Sequence, residues 1–232
     1  MLLSINLYTY SLGEDMLNVS VSRLGGLALI IGPAISVVSF LLRPGGGLIG
    51  GQVDPADFAA SIDVAMSNAA AATTSFLLVP IGLIAMLFGF SVVMENLRDK
   101  NGEAIRRLGL MFTLFGIVGW TLSSAGAVLI AGGDAGASAE AVYAVTAAIN
   151  GLASVLAGIG FSLLVYGVYL SGQYNKIFTL IVLVAQLVLL VTAVVAAVDL
   201  SFTQTAGMIG GIVYMVTVAW GIMIGLALIK SE

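Results

Sequence analysis

Two side chains that carry much of protein chemistry are missing from this sequence, because it contains no cysteine and no histidine. Their absence excludes disulfides, thiolate nucleophiles, imidazole bases and the ordinary zinc, copper and haem sites. Charge is also scarce, at 9% of residues, whereas about a quarter of the residues of a soluble domain are charged. With 60% hydrophobic residues and a mean hydropathy of +1.14, the sequence excludes a soluble protein and indicates a membrane protein.

Long apolar runs fill most of the chain. A bilayer core about 30 Å thick needs roughly 20 apolar helical residues to cross it, and six charge-free windows of this length are present. Lipid cannot satisfy an unpaired backbone amide, and the windows are too long for barrel strands, so each predicts an α-helix. The sequence therefore predicts an all-α, polytopic integral membrane protein with a bundle of six transmembrane helices, at about 24–42, 74–94, 108–131, 151–170, 178–198 and 207–229.

The bases predict the orientation of the bundle. Seven of the eight Lys and Arg residues lie on alternate connections that also include both ends of the chain. Basic loops stay cytoplasmic, so we expect both termini in the cytoplasm of a bacterial or archaeal cell, with the bundle crossing its cell membrane as a multi-pass protein. The opposite side has one base and six acids, a net charge of −5.

The sequence predicts one domain at 23–232 after a cytoplasmic N-terminal lead at 1–22, with translation starting at Met1 or Met16. In the outer loop 43–73, Asp54 as the cap and Pro55 as the first helical residue predict an amphipathic outer helix before the second span. It is expected either to pack on the bundle as a lid or to serve partner docking or gating. Ser201 and Gln204 form a capping-box pattern at the start of the sixth span.

Four polar or aromatic side chains inside the spans are candidate ligand contacts: Gln186, Trp120, Trp220 and Tyr214. An amide in lipid needs a partner on a neighbouring helix, either a Ser, Thr or Tyr hydroxyl or a backbone carbonyl. In a ligand site, six hydroxyl residues could join it: Thr121, Ser123, Ser124, Ser154, Thr192 and Thr217. The alternative for the amide is structural, as a bond between helices. For the two tryptophans the alternative is packing against glycine.

Glycine is abundant, with 29 residues at helical spacings. Small residues four or seven apart let helices approach closely, which predicts helix packing at Gly207, Gly211, Gly221 and Gly225. Those that face outward would mark a homo-oligomer or another membrane subunit. Gly32 and Pro33, in the middle of the first span, are candidate hinge residues because proline removes a helical hydrogen bond.

The remaining polar groups favour no catalytic constellation. Arg98, Arg106 and Arg107 are predicted to contact lipid headgroups on the cytoplasmic side. No charge lies inside a span, and no metal, cofactor or nucleic-acid site is predicted, so an enzyme is disfavoured. The first hypothesis is a non-catalytic accessory or self-associating subunit of a membrane assembly. The alternative is a small channel or carrier for a neutral or apolar solute.

Overall fold

The computed structural model describes residues 19–46 and 53–230, and this part of the chain is all-helical. Six of its helices are long and apolar enough to cross a membrane, as predicted. Residues 1–18, which make up most of the predicted N-terminal lead, and residues 47–52 of the outer loop lie outside the described ranges. The helices are α1 (Val21–Leu42), α2 (Phe58–Ser67), α3 (Ala69–Asn96), α4 (Glu103–Ala131), α5 (Ala139–Ser171), α6 (Lys176–Val198) and α7 (Thr203–Lys230).

The spanning helices form a closed ring. In chain order α1 packs on α3, α3 on α4, α4 on α5, α5 on α6 and α6 on α7, and α7 returns to α1. Gly26 lies against Gly225 while Phe40 lies against Gly211, so the closing pair α1/α7 is antiparallel. Gly25 lies against Val92 and Gly32 against Gly82, so α1 and α3 are antiparallel too. Short connections make the later sequential neighbours antiparallel as well.

The ring has two chemically different ends. We call the end that holds the start of α1 and the end of α7 the basic end, where seven bases and three acids among the described residues give a net charge of +4. The opposite, acidic end has Arg43 and six acids, a net charge of −5. The acids are Asp54, Asp57, Asp63, Asp134, Glu140 and Asp199.

Glycine brings α4 and α5 into backbone contact. A Cβ added at Gly109 would come within 2.8 Å of the Gly160 carbonyl oxygen, and one at Gly116 within 2.8 Å of the Ala157 amide nitrogen. The same type of contact joins α1 and α3, where a Cβ on Gly32 would lie 2.6 Å from the Gly82 carbonyl oxygen. The seven-residue glycine spacing in the sequence therefore marks the faces on which these helices meet.

Aromatic side chains fill the centre of the ring. The ring centroids of Phe90 and Phe161 are 6.2 Å apart in an edge-to-face arrangement, and those of Phe90 and Trp220 are 5.7 Å apart. All three side chains are buried, and Met86 and Ile224 belong to the same core. Large side chains from α3, α5 and α7 thus occupy the space that a central pore would need.

The outer helix exists, but its predicted start is wrong. Asp57, not Asp54, is the N-cap, and its carboxylate accepts a hydrogen bond from the Ala60 amide at 3.0 Å. Asp54 instead accepts from the Ala56 amide in a turn that contains Pro55. Two aspartates three residues apart offer two caps, and the chain uses the second.

This outer helix, α2, packs across the acidic end on α4 and α5. The Phe58 and Tyr143 ring centroids are 4.9 Å apart, and the Tyr143 hydroxyl donates to the Pro55 carbonyl at 3.3 Å. Ile62 is the buried residue of the helix. Only Asn68 separates α2 from α3, so the two helices are nearly continuous.

The predicted capping box at the last span is also wrong. Ser201 lies within a short 3₁₀ turn, Leu200–Phe202, and α7 begins at Thr203. The Asp199 carboxylate accepts from both the Ser201 amide, at 3.0 Å, and the Ser201 hydroxyl, at 2.6 Å. A charged carboxylate is a stronger acceptor than a serine hydroxyl, so the aspartate caps the turn.

Candidate functional site

The deepest amide in the bundle, Gln186, lies on α6 and is 1% exposed. Its side-chain amide donates from Nε2 to Oγ1 of Thr217 on α7, and the Thr217 hydroxyl donates in turn to the Val213 carbonyl at 2.8 Å. The expectation that this amide bonds to a neighbouring helix is therefore confirmed. Its Oε1 atom is buried and accepts no hydrogen bond from the described residues.

Two more core hydroxyls are buried without a hydrogen bond of good geometry among the described residues, those of Ser162 on α5 and Tyr214 on α7. Gly158 on α5 packs against Leu190 on α6. Because these helices are antiparallel, Ser162 and Gln186, one turn further along each helix, lie at the same level. Tyr214, one turn from Thr217 on α7, has its hydroxyl next to Ser36 of α1.

The two tryptophans lie at different interfaces. Trp220 is fully buried, and its Nε1 donates to Thr179 Oγ1 on α6 at 3.1 Å. Trp120 is half-buried on α4 and donates to Ser154 Oγ on α5 at 3.2 Å. The structure thus places Gln186, Tyr214 and Trp220 around α6 and α7 but leaves Trp120 elsewhere, and both indole groups already have partners within the chain.

Three of the four predicted packing glycines face α1. A Cβ on Gly225 would lie 2.6 Å from the Gly26 carbonyl oxygen, and one on Gly221 would lie 3.5 Å from the Leu29 carbonyl oxygen. Gly211 faces the Phe40 ring. Gly207 is exposed, and a Cβ there would meet nothing within 4 Å, so it packs on no helix in the described chain.

The candidate hinge lies inside a helix contact. Gly32 and Pro33 are buried, and α1 continues through both residues as one helix. A Cβ on Gly32 would also lie 2.9 Å from Cβ of Ala85 on α3. Close packing on α3 surrounds this position, and its role as a hinge stays a prediction.

One of the three predicted headgroup contacts is wrong, because Arg106 is 0% exposed. Its Nη1 donates to the carbonyls of Asn101 at 2.6 Å and Gly167 at 2.9 Å, and its Nη2 donates to the Leu97 carbonyl at 2.6 Å. The guanidinium therefore binds carbonyls at the end of α3 and joins them to α5. Such carbonyls carry the negative end of the helix dipole, which a cation stabilises.

Arg98 and Arg107 remain on the surface of the basic end. Arg98 pairs with Glu95 at 3.0 Å and Arg107 with Glu103 at 2.7 Å, and each arginine side chain is 61% exposed. Exposed ion pairs of this kind are weak, so both guanidinium groups are available to a stronger anionic ligand.

The lone base of the acidic end, Arg43, was not a predicted site. Its guanidinium carbon lies 5.2 Å from the centroid of Phe40 and 5.6 Å from that of Phe76, and no carboxylate among the described residues pairs with it. Burial lowers the pKa of the Arg43 guanidinium from its usual value, but an arginine stays charged at neutral pH. The aromatic faces hold the cation by cation–π attraction.

The chemistry of these sites is that of neutral hydrogen bonding. Within residues 19–46 and 53–230, no three acids come together in a group that could hold a metal ion. The core oxygens can accept or donate hydrogen bonds, whereas the charged side chains lie at the two ends. No protein-family model, curated protein or solved structure matches this chain.

Proposed function

We propose that this chain is a non-catalytic membrane subunit whose bundle self-associates or joins a larger membrane assembly. The observation that carries the proposal is the filled centre of the ring, where Phe90, Phe161 and Trp220 pack together. The polar groups of the core are largely used between helices, as in the bonds of Gln186 to Thr217 and of Trp220 to Thr179. A core used in this way favours a structural role.

The outward face of α7 supports self-association. It bears an apolar groove of about 430 Å³, with two alanines, Ala219 and Ala227, among larger residues. The lining is completed by Ile222, Met223, Leu226 and Lys230. Exposed small residues allow a second helix to approach closely, where dispersion contacts accumulate. A second copy of this chain is the occupant that we propose for the groove.

The test is the oligomeric state of the full chain in lipid nanodiscs and in native membranes, by native mass spectrometry and single-molecule photobleaching. We expect dimers or larger assemblies for the wild type and monomers for Ala219→Trp, which fills the groove. Val188→Trp, at a 44% exposed position on α6, is the matched control and should stay associated. A wild-type chain that is monomeric at every protein density would overturn self-association.

A carrier for a small neutral solute is the second candidate, because the Gln186 Oε1, Ser162 and Tyr214 oxygens are buried without partners. Unpaired buried oxygens can bind a ligand that donates or accepts hydrogen bonds. Proteoliposome swelling in glycerol or urea separates the two proposals. Uptake that Gln186→Leu abolishes would favour the carrier, and permeability equal to that of protein-free vesicles would exclude it for these solutes.

A further inference from the structure

An apolar groove runs along the seam between α3 and α4 on the outside of the ring. Its volume is about 310 Å³, and it is lined by residues of both helices: Ile84, Leu87, Phe88, Ser91, Leu110, Met111 and Leu114. Met111 is 53% exposed and Phe88 is 40% exposed. The groove lies in the half of the bundle nearer the basic end, the end at which a turn joins α3 to α4.

Two arginines lie near the basic end of this groove, Arg107 on α4 and Arg98 in the turn that follows α3. On α4, Arg107 precedes Leu110 and Met111 by three and four residues, so it lies directly above them. On α3, Glu95 follows Ser91 by four residues, and Arg98 pairs with Glu95 at 3.0 Å. The apolar lining is thus continuous with a charged rim.

We infer that this groove binds one molecule of an anionic phospholipid. Its phosphate accepts hydrogen bonds from Arg107 and Arg98, and one acyl chain lies along Met111, Leu114 and Phe88. Charge complementarity favours this occupant, because a phosphate can replace Glu95 and Glu103, which hold Arg98 and Arg107 only in weak surface pairs. The described residues of the basic end as a whole have a net charge of +4. Phosphate is a strong bidentate acceptor for arginine.

The arginines and the apolar lining follow each other in the same order as the phosphate and the acyl chains of a phospholipid. A phospholipid places its phosphate at the membrane surface and its chains in the hydrocarbon layer, and here the arginines come first and the apolar lining follows toward the bundle centre. Ser91 is the hydroxyl residue of the lining, and its Oγ already donates to the Phe88 carbonyl at 2.6 Å. The groove below the rim therefore presents an almost wholly apolar wall to its occupant.

The experiment is native mass spectrometry of the detergent-solubilised full chain, titrated with phosphatidylglycerol, phosphatidylcholine or inorganic phosphate alone. Arg107→Gln removes the proposed phosphate ligand, and Met111→Trp fills the groove. The matched controls are Lys176→Gln, the same loss of charge at the basic end but on α6, and Leu122→Trp, at a 58% exposed position on α4 outside the groove.

We expect the wild type to retain one phosphatidylglycerol in preference to phosphatidylcholine. Arg107→Gln should weaken this binding about tenfold, as the loss of one charge-assisted hydrogen bond predicts, and Met111→Trp should weaken it to a similar extent. Both controls should bind as the wild type does. Equal effects of Arg107→Gln and Lys176→Gln, or unchanged binding to Met111→Trp, would overturn the site, as would inorganic phosphate that binds as tightly as the lipid.

Discussion

Arg106 shows most directly how one residue supports the bundle. Its buried guanidinium donates to the carbonyls of Asn101, Gly167 and Leu97, so an uncharged replacement removes three charge-assisted hydrogen bonds and leaves a cavity in a buried place. We predict that Arg106→Met lowers the free energy of unfolding by about 3 kcal/mol or more. Arg107→Met, at the exposed neighbour, should change it by less than about 0.5 kcal/mol. Reversible unfolding in mixed micelles measures both, and equal losses would contradict this role of Arg106.

We predict that substitutions of Gln186 and of Thr217 change the free energy of unfolding by different amounts, although the two side chains share one hydrogen bond. Gln186→Leu removes the donor to Thr217 but also the unpartnered Oε1, and the Thr217 hydroxyl keeps its bond to the Val213 carbonyl. The free energy of unfolding should therefore change by less than about 1 kcal/mol. Thr217→Val leaves the amide of Gln186 buried without its acceptor and should cost about 1–2 kcal/mol. The same unfolding assay tests the order, and a larger cost for Gln186→Leu would contradict it.

At the residue scale, the sequence predicts the role of Gln186 but not that of Arg106. A lone amide within an apolar span predicts a partner, and the partner is Thr217. Arg106 and Arg107 lie in one basic stretch of the sequence, which predicts the same headgroup contact for both. Consecutive side chains on a helix, however, point about 100° apart. The positions of Gly109 and Gly116 indicate which side of α4 packs on α5. Arg106 lies three residues before Gly109 and therefore on the same, packed side of the helix.

At the element scale, we predict that the glycines on the contact face of the α4/α5 hairpin tolerate no larger residue. A Cβ on Gly160 would contact the Thr113 backbone and lie 2.5 Å from its Oγ1, whereas one on Gly151 of the same helix would meet nothing within 4 Å. We predict that Gly160→Ala destabilises the fold by about 1–3 kcal/mol through overpacking. Gly151→Ala should leave stability unchanged or raise it by up to about 1 kcal/mol, because alanine favours the helix. Thermal unfolding of the two variants, measured side by side, tests this prediction. A Gly160→Ala variant as stable as Gly151→Ala would rule out the close contact of Gly160 with Thr113.

The ends of the elements were harder to predict than their existence. Hydropathy and charge located all six spans, yet helices extend beyond the predicted windows, as α4 does by starting at Glu103. The length of each predicted window is the length that crosses the bilayer, whereas a helix continues until a cap or a break ends it. Local competition between caps, such as Asp54 against Asp57, depends on which backbone amides are free in the folded chain.

At the scale of the whole molecule, the closing of the ring could not be predicted. Sequential spans are antiparallel neighbours because short connections join them, but α1 and α7 meet from opposite ends of the chain. Both carry small residues, and such faces fit many partners equally well. The contact of Gly26 with Gly225 selects one arrangement, and it leaves the aromatic side chains of three helices in the centre.

The two charged ends predict how the whole bundle sits in a membrane. Loops rich in Lys and Arg remain on the cytoplasmic side, so the basic end should face the cytoplasm and the acidic end should face outward. Because the chain has no cysteine, single substitutions provide a clean test without a background thiol. Asp134→Cys and Asp199→Cys should react with a membrane-impermeant maleimide in intact cells, whereas Lys100→Cys and Lys176→Cys should react only after lysis. Each of the four positions lies outside the apolar windows and should be accessible from its own side of the membrane. Reaction of all four in intact cells would contradict a single orientation, and the reverse pattern would contradict a cytoplasmic basic end.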